Sequence, residues 1–177
     1  MIKEGGKKGQ DIAGVNDMGG LEFFCTSIDA ADGDAELLKM ALDGANAEVD
    51  PAGEERKGGS GHVGKCLFSS GLTSLALATY VPADKKVKID PMQWMEHILT
   101  QTSGLDNAVI NSTSEDGTTV LATIAQNADK NLFSLKMKDV ALSQAIIYLR
   151  ERDCFPPDDD DSDDDMVFGD DTDFDAL

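Results

Sequence analysis

Hydrophobic and polar positions alternate in blocks along the chain, and the clearest block runs from Leu67 to Leu99. Two short apolar runs, Val63–Ser69 leading into it and Leu75–Val81 within it, are separated by a break at Gly71. They are close enough in sequence that an antiparallel hairpin is the economical connection. The second run, LALATYV, is apolar but for Thr79 and the Tyr80 hydroxyl, as expected of a central strand covered on both faces. A charged turn with Lys85, Lys86 and Lys88 follows, and Asp90-Pro91 then opens a helix. Aspartate accepts from the first unpaired helical N–H groups, and proline at the first position loses no bond. Met92, Trp94, Met95, Ile98 and Leu99 form the broad apolar stripe of that helix.

The same patterning extends to both sides. Leu21–Ile28 (LEFFCTSI) predicts a strand buried on two faces, and DAELLKMALDGA predicts a helix with Leu38, Ala41, Leu42 and Ala45 inward. Thr102–Gly117 reads as a polar, turn-rich connection. Thr118–Ala125 reads as a β-branched strand. A helix from about Leu135 to Arg152 turns Met137, Val140, Ala141, Ala145, Tyr148 and Leu149 inward, and Phe155-Pro156-Pro157 stops it. Met1–Gly20 holds six glycines and the basic residues Lys3, Lys7 and Lys8 without apolar periodicity, so a flexible lead is expected. The prediction is one α/β domain over residues 19–156, a mixed sheet of about four strands with about three helices. An arm (1–18) and a disordered acidic tail (157–177) flank it.

Charge and composition narrow the function. The net charge of the 177 residues is −19, but Asp158–Asp175 holds 11 of the 34 acidic residues and no basic one. The remaining 15 basic and 23 acidic residues give residues 1–157 a net charge of −8. An acidic body is a poor general match for a polyanion. Nothing after Met1 reads as a signal peptide and no run is long enough for a membrane span, so no membrane partner is expected. Three cysteines without a CxxC pair fit a reduced cytoplasmic protein.

Candidate chemistry is sparse. Gly59–Lys65 matches GxxxxGK, the phosphate-cradling loop, but Cys66 stands where Ser or Thr would bind Mg²⁺. The pattern also precedes a strand where it should open a helix. A nucleotide-binding enzyme built on this loop is therefore the least favoured reading. His62 and Cys66 supply two potential metal ligands where three or four are needed, and His97 has no triad-like partner. No cofactor, metal or catalytic residue is predicted. In the tail, Met166, Val167, Phe168, Phe174 and Leu177 interrupt the aspartates. Acidic segments with apolar anchors are a usual form for short partner-binding peptides, and a merely solubilising tail is the alternative.

Three segments together resemble a known family: GGLEFFCTSIDAADGDAELLKMALDGA, SLALATYVPADKKVKIDPMQWMEHIL and TVLATIAQNADKNLFSLKMKDVALSQAIIYLRER. In order and spacing, residues 19–153 resemble the carboxy-terminal globular domain of alanyl-tRNA synthetases, a domain also appended to DHH-type phosphoesterases. The resemblance implies a noncatalytic, translation-associated module that contacts the tRNA elbow or another structured RNA. Lys85, Lys86, Lys88, Lys136, Lys138, Arg150 and Arg152 are the available cations. The family's glycine-rich, arginine-bearing loop before the last helix is missing over Thr123–Asn131, and the zinc-binding editing motifs are absent. Asp161–Gly169 is similar to the acidic end of ribosomal stalk P-proteins, which implies recruitment of a translation factor. The rival reading is a protein–protein adaptor that has lost nucleic-acid binding.

Overall fold

Two neighbouring, largely apolar strands, buried on both faces, set the centre of the molecule. In a computed structural model, which describes residues 1–53, 57–102 and 107–154, the expected hairpin forms from β2 (Gly64–Ser70) and β3 (Ser74–Tyr80). β1 (Phe23–Ser27) lies parallel to β2 on one side. β5 (Thr119–Ala125) lies antiparallel to β3 on the other, and β4 (Ala108–Thr113) closes that end. The sheet is mixed, five-stranded, and ordered β1-β2-β3-β5-β4.

Successive side chains point to opposite faces, so the sheet carries two cores. On one face Phe23, Cys66, Phe68, Leu77 and Ala122 pack beneath α3 (Pro91–Thr102) and α4 (Ser134–Arg150). Trp94 of α3 sits at the centre of this layer, with its ring edge-on to Phe23 and its indole N–H on the Ala145 carbonyl at 3.2 Å. On the other face Leu67, Ala76, Ala78 and Leu121 pack beneath α2 (Ala35–Asn46), through Leu38, Ala41 and Leu42. The starts of α2 and α3 are those predicted. Asp34 Oδ1 accepts from the Leu37 amide, and Asp90 Oδ1 accepts from the Met92 and Gln93 amides, all at 2.9 Å.

Four features differ from the sequence reading. The expected flexible arm is instead α1 (Ile2–Gly19), closed at Gly20 in the left-handed region with its N–H on the Asn16 carbonyl. Its buried stripe is built from small residues, Gly5 and Gly9 with Ile12, so no apolar periodicity announces it. A methyl group at Gly5 would overlap the carbonyl of Ala41, and one at Gly9 that of Ala45. Glycine here lets two helix backbones touch, as small residues do wherever helices pack closely. Second, β4 occupies what read as a polar connection, because it is an edge strand exposed along most of its length. Third, Val140 is 43% exposed although its spacing places it near the buried stripe of α4. It lies on the shoulder of that stripe, outside the contact with the sheet. Fourth, the sheet has five strands and the chain four α-helices among the described residues, one more of each than expected. The tail residues Met166, Val167, Phe168, Phe174 and Leu177 lie outside the described residues.

Candidate functional site

The Gly59–Lys65 stretch does not build a phosphate loop. Lys65 sits in β2 and points into the α2 side of the sheet, opposite Tyr80 in register, and is fully buried. Its ammonium donates to Asn46 Oδ1 at 2.5 Å and to the Ser60 carbonyl at 2.7 Å, and lies 4.6 Å from the centre of the Tyr80 ring. Burial, with the Lys85 charge as a smaller cause, pulls the amine down to about 7. The loop amides are turned to carbonyls of the helical layer: Gly58 to Gly6, Gly59 to Ala47, Ser60 to Ala45. Gly58 and Gly59 both have φ above +80°, a conformation glycine adopts freely. Tyr80 completes the clasp through its hydroxyl on the Gly61 carbonyl at 2.6 Å. Lys65 thus ties the glycine loop to the end of α2 and presents no amine to solvent.

The other single-residue candidates are also kept apart. His62 Nε2 pairs with Asn16 Oδ1 at 3.0 Å, whereas Cys66 faces the opposite core, where burial raises its thiol pKa well above normal. His97 packs its ring 5.1 Å from that of Tyr148, and its Nε2 is buried without a hydrogen-bond partner. Among the described residues no three metal-ligating side chains cluster.

The seven candidate RNA-binding cations fall into two groups at opposite ends of the sheet. Lys136 and Lys138 stand at the start of α4 and Arg150 at its end, about 21 Å away at 1.5 Å per residue. Lys138 pairs with Asp29, just after β1, at 3.4 Å, whereas Lys88 pairs with Glu22, just before β1, at 3.3 Å. Those carboxylates are themselves roughly 20 Å apart along an extended strand. At the Lys88 end, Lys85 donates to the His62 carbonyl at 2.7 Å and Lys86 to the Asp116 carbonyl at 3.0 Å. Arg152 lies over the Tyr148 ring, 3.4 Å from its centre, and 3.6 Å from Glu151. Lys136 lies 5.7 Å from the Phe133 ring. The basic side chains are thus interleaved with acidic ones, and among the described residues no stripe of these seven cations joins the two ends.

A different surface is open. Among the described residues β4 pairs only with β5, and from Val109 onward every residue of it is exposed. On the α2 side, a groove of about 520 Å³ runs between α2 and β5–β4, with Asn46, Tyr80, Ser112 and Thr119 in its lining. Sequence reasoning missed this surface. The one available signal was the uncharged run Ala108–Thr113, whose apolar half is too short to stand out from the surrounding turn residues.

No known protein family's sequence profile matches this chain, and no curated protein is significantly similar to it. Among the described residues, no helix is long and apolar enough to cross a membrane.

Proposed function

We propose that the chain is a noncatalytic interaction module whose folded body engages protein rather than RNA. The observation that carries this reading is the division of its cations. Nucleic-acid affinity comes from many phosphates neutralised along one continuous surface. Here Lys136 and Lys138 are separated from Lys85, Lys86, Lys88, Arg150 and Arg152 by the length of the sheet. Carboxylates of Asp29, Glu22 and Glu151 stand among them. A body of net charge −8 adds long-range repulsion of a polyanion. The acidic tail, with Met166, Val167, Phe168, Phe174 and Leu177 as anchors, is a second contact segment in this reading. We place the protein in the reducing cytosol, with Cys25, Cys66 and Cys154 as free thiols.

The test is binding of labelled bulk tRNA, by fluorescence polarisation at low salt, to the full chain and to a chain ending at Pro157. The expectation is no saturable binding by either. The translation-linked RNA reading wins if tRNA binds, the affinity falls steeply with salt, and joint replacement of Lys85, Lys86 and Lys88 by glutamate abolishes it.

A further inference from the structure

Sheet edges in natural proteins are guarded by charge, proline or covering elements, because their unpaired N–H and C=O groups template further strands. The two edges of this sheet are treated differently. β1 is bracketed by the ion pairs Lys88–Glu22 and Lys138–Asp29. β4 carries no such guard in its own sequence: residues 107–114 contain no charged residue and no proline. Val109 is 61% and Ile110 39% exposed. Val109 lies in register with Thr123 of β5, and Thr123 with Ala76 of β3. It therefore belongs to the face that α2 covers further along the sheet but does not reach here.

The strand is also shaped. A bulge at Asn111 shifts the register between Ile110 and Ser112, and the Thr123 hydroxyl donates to Asn111 Oδ1 at 2.8 Å, which holds it. A bulge bends and twists its strand, so the edge accepts only a matching neighbour. At the C-terminal end of β4 stand two carboxylates, Glu115 and Asp116, without ion-pair partners among the described residues. Asp116 accepts from the Ser114 hydroxyl at 2.6 Å and from the Thr118 hydroxyl and amide at 2.8 and 3.1 Å, which hold it ionised down to about pH 2. The nearby cations are engaged elsewhere: Lys39 with Asp43, and Lys86 with the Asp116 carbonyl rather than its carboxylate.

The geometry points to β4 as the acceptor edge for an extended segment of another protein, which adds antiparallel as a sixth strand. That segment carries an apolar or β-branched residue over Val109 and a lysine or arginine near its N-terminal end, against Glu115 and Asp116. A second copy of this chain fits less well, since its own bulge would oppose this one and two bodies of net charge −8 would meet. The assignment rests on the interaction-module reading above and names where the folded body makes its contact.

The test uses the full chain and a fluorescein-labelled peptide of about ten residues, alternating valine and threonine, with two lysines at its N-terminal end. A control peptide carries glutamates in place of the lysines. The expected results are saturable binding of the lysine peptide and slowed hydrogen exchange confined to residues 109–113. The glutamate peptide should bind at least fivefold more weakly. Val109→Asp should weaken the lysine peptide at least tenfold, and Glu115→Lys should erase the preference between the two, with unchanged thermal melts showing both variants folded. The assignment is overturned by absence of binding, by binding that leaves exchange at 109–113 unchanged, or by indifference to Val109→Asp. A dimer in sedimentation equilibrium that Val109→Asp dissolves would overturn it in favour of a second copy as occupant. Salt-sensitive tRNA binding would sink the interaction-module reading whatever the peptide does, whereas a silent peptide with no tRNA binding sinks only the edge.

Discussion

Replacing Lys65 by methionine should change stability by an amount that depends on pH, and the sign follows from the burial of the amine. Lys65 is fully enclosed by Asn46, the Ser60 carbonyl and the Tyr80 ring, and its folded-state pKa is pulled to about 7 from an ordinary 10.5. Between those two values the unfolded chain holds a proton that the folded chain has released. Stability therefore rises with pH across that window, by up to about 1.4 kcal/mol per unit. Integrated from pH 6 to pH 9, the gain is roughly 2–3 kcal/mol. Lysine should thus be costliest below pH 7, where a charged ammonium must stay buried, and should recover as the solution turns alkaline. The Lys65→Met variant lacks this term but leaves Asn46 Oδ1 and the Ser60 carbonyl without their donor, which costs about 1–3 kcal/mol at every pH. The assay is urea unfolding of both proteins at half-unit steps from pH 6 to 9.5, read by Trp94 fluorescence and plotted as the difference, so that other titrating groups cancel. A difference that stays flat across this range, or that grows in favour of methionine, would refute the burial argument.

Two further predictions concern the helices. Gly5→Leu should displace α1 from α2, because even a methyl group there overlaps the Ala41 carbonyl. Circular dichroism at 222 nm and urea unfolding should register lost helix and a cost of several kcal/mol, whereas Gly14→Ala, with nothing within 4 Å of the added carbon, should stabilise by about 0.5–1 kcal/mol. Asp90→Ala removes the acceptor of the Met92 and Gln93 amides and should cost about 1 kcal/mol in thermal or urea unfolding, with Asp90→Asn retaining most of it.

What the sequence made legible was whatever signals itself through bulk or through caps. The β2–β3 hairpin, the Asp90-Pro91 start and the Trp94 stripe follow from large apolar side chains at strand or helix spacing, and each sits where expected. α1 escaped because its contact surface is made by removing side chains. Gly5, Gly9 and Gly44 count as flexible in any hydrophobic pattern, yet they let two backbones touch. β4 escaped for the opposite reason: a strand supported on one edge only has little pressure to alternate, and Asn111, Ser112 and Thr113 look like loop. Lys65 was misleading in type. A lysine after GxxxxG suggests a phosphate ligand, and only the strand that follows shows that its side chain must turn inward. The cation set was visible residue by residue, but its division between the ends of α4 and of β1 is a property of topology.

The two-core arrangement also makes neighbouring residues into independent reporters. Lys65 and Cys66 are adjacent in β2 and point to opposite faces, the amine under the end of α2 and the glycine loop and the thiol under the α3–α4 layer. Alkylation of Cys66 will time the lifting of one layer and acylation of Lys65 the lifting of the other, within a single reaction and at one position on the chain. If the layers separate from the sheet independently, the two rates will diverge as denaturant is added. If the domain opens as a unit, they will rise together.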